Sequence, residues 1–176
     1  DVSIVGQVKL SSLADVTGLF AGGAKYGTYM SVNAKGVNAP QAGWEEGFTY
    51  AIKGKSGKEH RPSASLNEVV PAGEWCTFAC VQKGSTVTLY LNGKQVATGD
   101  VGGDTLSDVY VSDDTELYLG KPLAAWNDPK SYGIFDSFRI YSRALDASEI
   151  PGQPIDPNPP YVPTAFEEQV DYIHRA

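Results

Sequence analysis

The chain has 176 residues, of which 41% are hydrophobic and 20% charged, so we expect one domain with a sizeable core and a short additional segment. Its 14 Lys and Arg against 21 Asp and Glu give a net charge of −7, which disfavours nucleic acid and anionic membranes as partners. The longest apolar stretches span only a few residues, whereas a membrane-spanning helix needs about 18. The sequence therefore predicts no membrane insertion.

Apolar and polar residues alternate with a period of two in segments that glycines interrupt, which is typical of an all-β fold. Asn92-Gly93 predicts a two-residue hairpin turn between two of these segments, because both residues tolerate positive φ. Helical periodicity is hard to find before residue 144. In chain order, the predicted strands are 2–10, 26–32, 48–52, 75–81, 86–91, 94–98, 116–120 and 132–141.

Side chains that alternate along these strands are expected to form the core. In the closing strand, Ile134, Asp136, Phe138 and Ile140 stand at every second position, which predicts that they share one face. An aspartate on that mostly apolar face calls for an explanation. The residues expected to be buried include Trp75, Phe78, Leu89, Leu91, Phe138 and Ile140.

The two cysteines, Cys76 and Cys80, lie within one predicted strand. At ~3.3 Å per residue their Cα atoms are about 13 Å apart on one face, too far for a disulfide without a bulge. We expect two free, half-buried thiols, and neither has the setting of a nucleophile.

The C-terminal part has a different composition. Asp146 and Glu149 have the spacing of a capping box, which predicts a short helical turn and the end of the domain. Six of the thirteen residues in 151–163 are proline, as in a stiff extended linker, so another domain is expected beyond it. The spacing of apolar residues in 164–176 predicts an amphipathic helical tail. Its apolar side chains, expected to pack on a neighbouring domain, a partner chain or this domain, are Phe166, Val170 and Ile173.

Four segments resemble the laminin-G-like jelly roll, a concanavalin A-like sandwich of two antiparallel sheets. They are residues 73–79 (GEWCTFA), 88–94 (TLYLNGK), 117–120 (LYLG) and 133–150 (GIFDSFRIYSRALDASEI). The resemblance covers residues 1–150 and implies an all-β jelly-roll sandwich followed by the short helical tail. It leaves function open, because this fold carries lectins, adhesion domains and hydrolases.

One feature departs from the family pattern. Such domains usually begin with a strand that pairs with the closing strand, whereas Asp1 already resembles the start of the second strand. The first strand is therefore expected to be missing, which would leave an edge beside residues 132–141 open to a partner chain or to the tail.

Catalytic patterns are not found in the sequence. Polysaccharide-cleaving enzymes of this fold place Glu, Asp and Glu on alternate residues of one strand, and no such run occurs here. His60 and His174 are the only histidines and stand in a Lys-rich loop and in the tail, which argues against a triad or a zinc site. We expect this chain to supply no catalytic residue.

Aromatic residues in loops suggest a binding platform. A sugar ring stacks its apolar face on an aromatic plane, while carboxylates and amides bind its hydroxyl groups. The candidate carbohydrate-binding residues are Trp44, Trp126, Asn127, Asp128 and Tyr132, with Tyr26 and Tyr29 as weaker candidates. The alternative is that these rings form a small satellite core beneath long loops.

Two places suggest a structural calcium ion. The family resemblance implies that Asp136 on the closing strand could hold Ca²⁺ together with backbone carbonyl groups. The alternative is a buried Asp136 carboxylate bound by backbone N–H groups or paired with Arg139 or Arg143. The second candidate calcium site consists of Asp104, Asp108, Asp113 and Asp114.

Three functional hypotheses follow. The first is a non-catalytic carbohydrate-binding or adhesion module of a larger secreted or cell-surface protein, such as a glycan-degrading enzyme. The second is a structural domain that docks on a catalytic neighbour and binds no sugar. The third is part of a glycoside hydrolase or lyase whose catalytic residues lie elsewhere.

Overall fold

The computed structural model describes residues 1–24, 27–36, 47–110, 115–123, 126 and 128–152. In these residues the chain forms two antiparallel sheets, which confirms the predicted jelly-roll sandwich. A five-stranded sheet has the order β7-β6-β5-β1-β9, and a four-stranded sheet has the order β4-β3-β2-β8. The strands are β1 (Val2–Leu10), β2 (Gly18–Gly23), β3 (Tyr29–Asn33), β4 (Thr49–Lys53), β5 (Trp75–Lys83), β6 (Thr86–Leu91), β7 (Lys94–Asp100), β8 (Glu116–Leu119) and β9 (Gly133–Tyr141).

Helical structure is sparse in the described residues. The α-helix α1 (Leu106–Val109) has four residues and was not predicted from the sequence. The turn predicted from the Asp146 and Glu149 spacing is a 3-10 helix at Ala147–Glu149, and the Asp146 amide donates to Glu149 Oε2 at 2.9 Å. No helix in this part of the chain is long and apolar enough to cross a bilayer. The predicted helical tail lies outside the described residues.

The core lies between the two sheets. On β1 the alternation is as predicted, since Ile4, Val8 and Leu10 are fully buried. Aromatic rings from both sheets meet there: the Phe48 and Phe78 ring centroids are 6.1 Å apart, and those of Phe20 and Phe138 are 5.1 Å apart. Dispersion contacts among these rings, together with the apolar area removed from water, stabilise the sandwich.

The closing strand β9 differs from its prediction because it contains a bulge. Gln7 pairs with Ser137 and Val8 with Phe135, so Asp136 is an extra residue without a partner on β1. A bulge changes which residues share a face. The prediction of one continuous face was therefore wrong, and Asp136 is exposed while Phe135 packs against the core.

Burial is confirmed for Phe78, Leu89 and Leu91 but not for the other predicted core residues. Trp75 and Phe138 are half-buried, and Ile140 is 42% exposed. Ile140 pairs with the fully buried Ile4, so it lies on the inner face. It remains exposed because β9 is the edge strand of its sheet.

The closing strand β9 pairs with β1, so one of its two edges has a strand partner. Its other edge has no strand partner among the described residues, and β8 is the edge strand of the second sheet in the same way. Large exposed apolar side chains accompany these edges: Leu117, Leu119, Tyr132, Ile134 and Ile140. The missing first strand stays a prediction.

The segment after β9 covers the outer face of the five-stranded sheet. Leu145 and Ile150 pack there on Val5, Ala79 and Val81 as a second apolar cluster. The Ser3 hydroxyl fixes this segment, because it donates to Arg143 O at 2.8 Å and accepts from the Leu145 amide at 2.9 Å. This segment therefore lies against the outer face of the sheet at that cluster.

Both cysteines are free, as expected. They are fully rather than half buried, with Cys76 at 0% and Cys80 at 2% exposure. Burial raises the pKa of the Cys76 thiol to about 12 and that of Cys80 above its ordinary value. Both thiols are therefore protonated and non-nucleophilic near neutral pH.

Candidate functional site

A cleft of about 310 Å³ opens on the outer face of the four-stranded sheet. Successive side chains of a strand point to opposite faces of the sheet, so every second residue contributes to the floor of the cleft. Phe20 pairs with Val32 on the inner face, so the next pair, Ala21 and Ser31, lies on the outer face and lines the cleft. Ser31 is only 4% exposed, because residues from the loops cover the floor.

The same alternation brings Glu59 and Arg61 to this face. The segment after β4 runs beside that strand, with an isolated bridge between His60 and the buried Ile52. Since His60 is opposite an inward-facing residue, its two neighbours Glu59 and Arg61 lie on the outer face. Arg61 lines the cleft.

An aromatic pair forms one wall of the cleft. Tyr29 from β3 and Trp126 from the β8–β9 connection have ring centroids 4.8 Å apart and planes at 85°, an edge-to-face arrangement. The Trp126 amide donates to Leu123 O at 2.9 Å, and Leu123 is 1% exposed. The backbone of Trp126 is thus bound to a buried residue.

Charged groups lie beside this wall. Arg61 Nε donates to Glu59 Oε1 at 2.9 Å, and Arg61 Nη2 donates to the same oxygen. Burial and a hydrogen bond to Glu59 raise the pKa of Tyr29 well above its usual range. Burial also raises the pKa of Asp128, although the nearby Arg61 charge opposes this shift. Aromatic, cationic, anionic and amide groups therefore meet in one cleft.

The structure brings together only part of the predicted platform. Trp126 and Asp128 line the cleft, as does the weaker candidate Tyr29. Tyr132 is 65% exposed and is not among the lining residues, since it lies next to the edge strand β9. Trp44, Asn127 and Tyr26 lie outside the described residues.

Sequence reasoning missed Arg61, Asn33 and Ser31, which line the cleft beside the aromatic pair. Asn33 Nδ2 lies 3.4 Å from Ser31 Oγ as a hydrogen-bond donor. Ser31 and Asn33 could have been predicted from the alternation of side chains along β3, which places them on the same face as Tyr29. No local pattern indicated Arg61, because it is brought to the cleft by tertiary pairing.

Of the residues proposed to hold calcium, the structure describes Asp136, Asp104 and Asp108. Asp136 is exposed at the bulge, and Asp104 and Asp108 are engaged in hydrogen bonds with the chain around them. Asp113 and Asp114 lie outside the described residues. In the described part of the chain no three His, Cys, Asp or Glu side chains come together as a metal site. Calcium binding stays a prediction, which a melting curve with and without chelator would test.

The sequence of residues 8–151 matches the Laminin_G_3 family, described as the concanavalin A-like lectin/glucanases superfamily, and the chain belongs to this family. No curated protein sequence matches the chain.

Solved structures share the fold. Domain 4 of AbnA, a GH43 extracellular arabinanase from Geobacillus stearothermophilus solved with arabinotriose, is 25% identical with a TM-score of 0.63, covering 85% of this chain and 64% of that one. This chain thus spans less than two thirds of that relative's length. The Ruminococcus gnavus IT-sialidase CBM40 is 17% identical with a TM-score of 0.64, covering 85% and 79%. The SAP-like pentraxin of Limulus polyphemus is 12% identical with a TM-score of 0.56, covering 85% and 67%.

Proposed function

We propose that the chain is a non-catalytic carbohydrate-binding module of a larger secreted or cell-surface protein, such as a glycan-degrading enzyme. The observation that carries this proposal is the cleft in which the Tyr29–Trp126 pair lies beside Arg61, Asp128 and Asn33. Sugar rings need an apolar surface together with hydrogen-bond donors and acceptors, and this cleft supplies both.

The size of the cleft indicates the kind of ligand. At about 310 Å³ it is at the lower end of the ~300–1,000 Å³ typical of small-molecule sites. It is open to solvent rather than enclosed, so a longer glycan can extend beyond it. We expect the cleft to hold a short stretch of a glycan.

The contacts of Glu59 fit a binding role better than a hydrolytic one. Glu59 accepts two hydrogen bonds from Arg61 and one from Tyr29, so it is held as a fixed partner rather than a proton donor. The arabinanase domain solved with arabinotriose and the sialidase CBM40 are relatives that support a binding module of an extracellular enzyme.

A glycan array with the purified chain tests the proposal. We expect the wild-type chain to bind at least one class of oligosaccharide and the Trp126→Ala variant to lose most of that binding, by about tenfold or more, because an aromatic anchor in a small site carries much of the affinity.

The matched control is Tyr132→Ala, which removes an exposed aromatic ring outside the cleft lining. This variant should bind as the wild type does. The proposal is wrong if no glycan binds, or if Trp126→Ala binds as well as the wild type while remaining folded.

A structural interaction domain is the second candidate, favoured by the exposed apolar side chains along the open edges of β8 and β9. At an open strand edge with apolar side chains, a strand of another chain can pair with the sheet and cover those side chains. The predicted contact residues of the tail, Phe166, Val170 and Ile173, lie outside the described residues, so docking through them stays a prediction. Amide exchange on the whole chain would test it, since slow exchange over 166–173 requires a docked tail.

A further inference from the structure

Among the residues that the structure describes, the charged side chains lining the cleft are one cation, Arg61, and one anion, Asp128. A ligand carboxylate entering a partly dehydrated site needs a cation that can bind it, because burial of an unpaired charge is costly. Whether Arg61 is available to bind a ligand carboxylate therefore decides whether the cleft accepts acidic sugars.

Arg61 is already committed to a carboxylate of the protein. Its Nε and Nη2 both donate to Glu59 Oε1, and its side chain is only 13% exposed. Glu59 already offsets the positive charge of this guanidinium, so a ligand carboxylate bound to its remaining N–H groups would share one cation with Glu59. It would also approach Asp128, whose negative charge repels it.

Lys121 does not replace Arg61 as a cation for the ligand. It precedes the lining residue Pro122, but its ammonium lies 3.5 Å from the centre of the Tyr118 ring, in a cation–π contact. Lys121 is not among the residues that line the cleft.

We infer that the cleft selects neutral sugars and rejects acidic ones, an inference that rests on the proposed carbohydrate-binding function. The Asp128 carboxylate accepts hydrogen bonds from sugar hydroxyl groups, and the polar side chains of Ser31 and Asn33 supply further hydrogen-bonding groups. The Glu59–Arg61 pair holds Tyr29 in place at the aromatic wall. Specificity comes from repulsion of the wrong ligand as well as from attraction of the right one.

The test compares matched ligands that differ by one carboxylate. Calorimetry at neutral pH gives the Kd of galactose and glucose oligomers and of their uronic acid counterparts, in which a carboxylate replaces the C6 hydroxymethyl group. We expect each neutral member that binds to do so at least about tenfold more tightly than its acidic partner.

The variant Asp128→Asn removes the negative charge and keeps a hydrogen-bonding side chain. It should reduce the preference for the neutral member several-fold. Glu74→Gln makes the same change of charge at an exposed residue outside the cleft lining and should leave the preference unchanged.

The outcomes separate this inference from the proposed function. Equal or tighter binding of the acidic member, abolished by Trp126→Ala, overturns the neutral-sugar inference and leaves the carbohydrate-binding function standing. A preference that persists unchanged in Asp128→Asn overturns the role given to Asp128. If none of the neutral or acidic sugars binds, both the function and the inference are wrong.

Discussion

Replacement of Phe78 by alanine is expected to lower the free energy of unfolding by about 3–5 kcal/mol. Phe78 is fully buried at the centre of β5, with its ring against Phe48, which immediately precedes β4 of the other sheet. The backbone of Gly6 lies directly beneath it, since a Cβ at Gly6 would come within 2.5 Å of the Phe78 ring. Neither rigid neighbour can fill the space left by the ring, so a cavity remains.

Urea denaturation followed by circular dichroism measures this loss. Phe138→Ala should cost less than Phe78→Ala, because Phe138 is only half-buried on the edge strand. The exposed Tyr132→Ala variant should stay within about 0.5 kcal/mol of the wild type. Equal losses for Phe78→Ala and Tyr132→Ala would show that the core does not lie between these sheets.

Asp104→Asn is expected to lower the free energy of unfolding by about 2–4 kcal/mol near neutral pH. Asp104 is 1% exposed, and its carboxylate accepts from the Gly54 amide at 2.9 Å, the Ser56 amide at 3.0 Å and the Ser56 hydroxyl at 2.6 Å. Its carbonyl oxygen accepts from Gln82 Nε2 at 2.6 Å. An asparagine side chain has one acceptor oxygen and cannot satisfy all three donors.

The Asp104 effect should depend on pH. Burial alone would raise the pKa of Asp104, but the hydrogen bonds from Ser56 and Gly54 outweigh it, so the pKa lies below its ordinary value. A carboxyl whose pKa is lower in the folded state stabilises the protein above the unfolded pKa of about 3.9 and loses this contribution as pH falls further. The difference between wild type and Asp104→Asn should therefore shrink below about pH 4. A difference that stays constant from pH 7 to pH 3 would contradict this role.

The sequence predicted the strands whose side chains alternate cleanly, and it failed where glycine or tertiary pairing decides the structure. The Asn92-Gly93 turn joins β6 to β7 as predicted, with both residues at positive φ. Strand β2 was missed because its sequence, GLFAGG, is rich in glycine and buried along its whole length, which hides the alternation.

The glycines of β2 are explained only by the folded structure. A Cβ at Gly22 would come within 2.3 Å of the Tyr110 hydroxyl, and one at Gly23 within 2.5 Å of Thr28 O. Close contacts in the folded structure, from Tyr110 far along the chain and from Thr28 five residues on, therefore select glycine in a central strand. The bulge at Asp136 is likewise defined by pairing with β1 and has no local pattern.

In the candidate site, too, some residues could be predicted from the sequence and others only from the fold. Trp126 and Asp128 were predicted because an aromatic residue in a polar loop is unusual by itself. Arg61 was not predicted, because its side chain reaches the outer face through the pairing of its segment with β4. Residue type thus indicated Trp126, Asp128 and the weaker candidate Tyr29, and the topology of the sheet supplied Ser31, Asn33 and Arg61.

Fluorine NMR of the chain labelled with 5-fluorotryptophan tests most directly the claim that glycans bind in this cleft. The chain has three tryptophans, Trp44, Trp75 and Trp126, whose signals are assigned with single Trp→Phe variants. Titration with an oligosaccharide that binds on the array should shift or broaden the Trp126 signal and leave that of Trp75 unchanged, because Trp126 lines the cleft and Trp75 lies on β5 of the other sheet. A bound glycan that leaves the Trp126 signal unchanged would contradict the account.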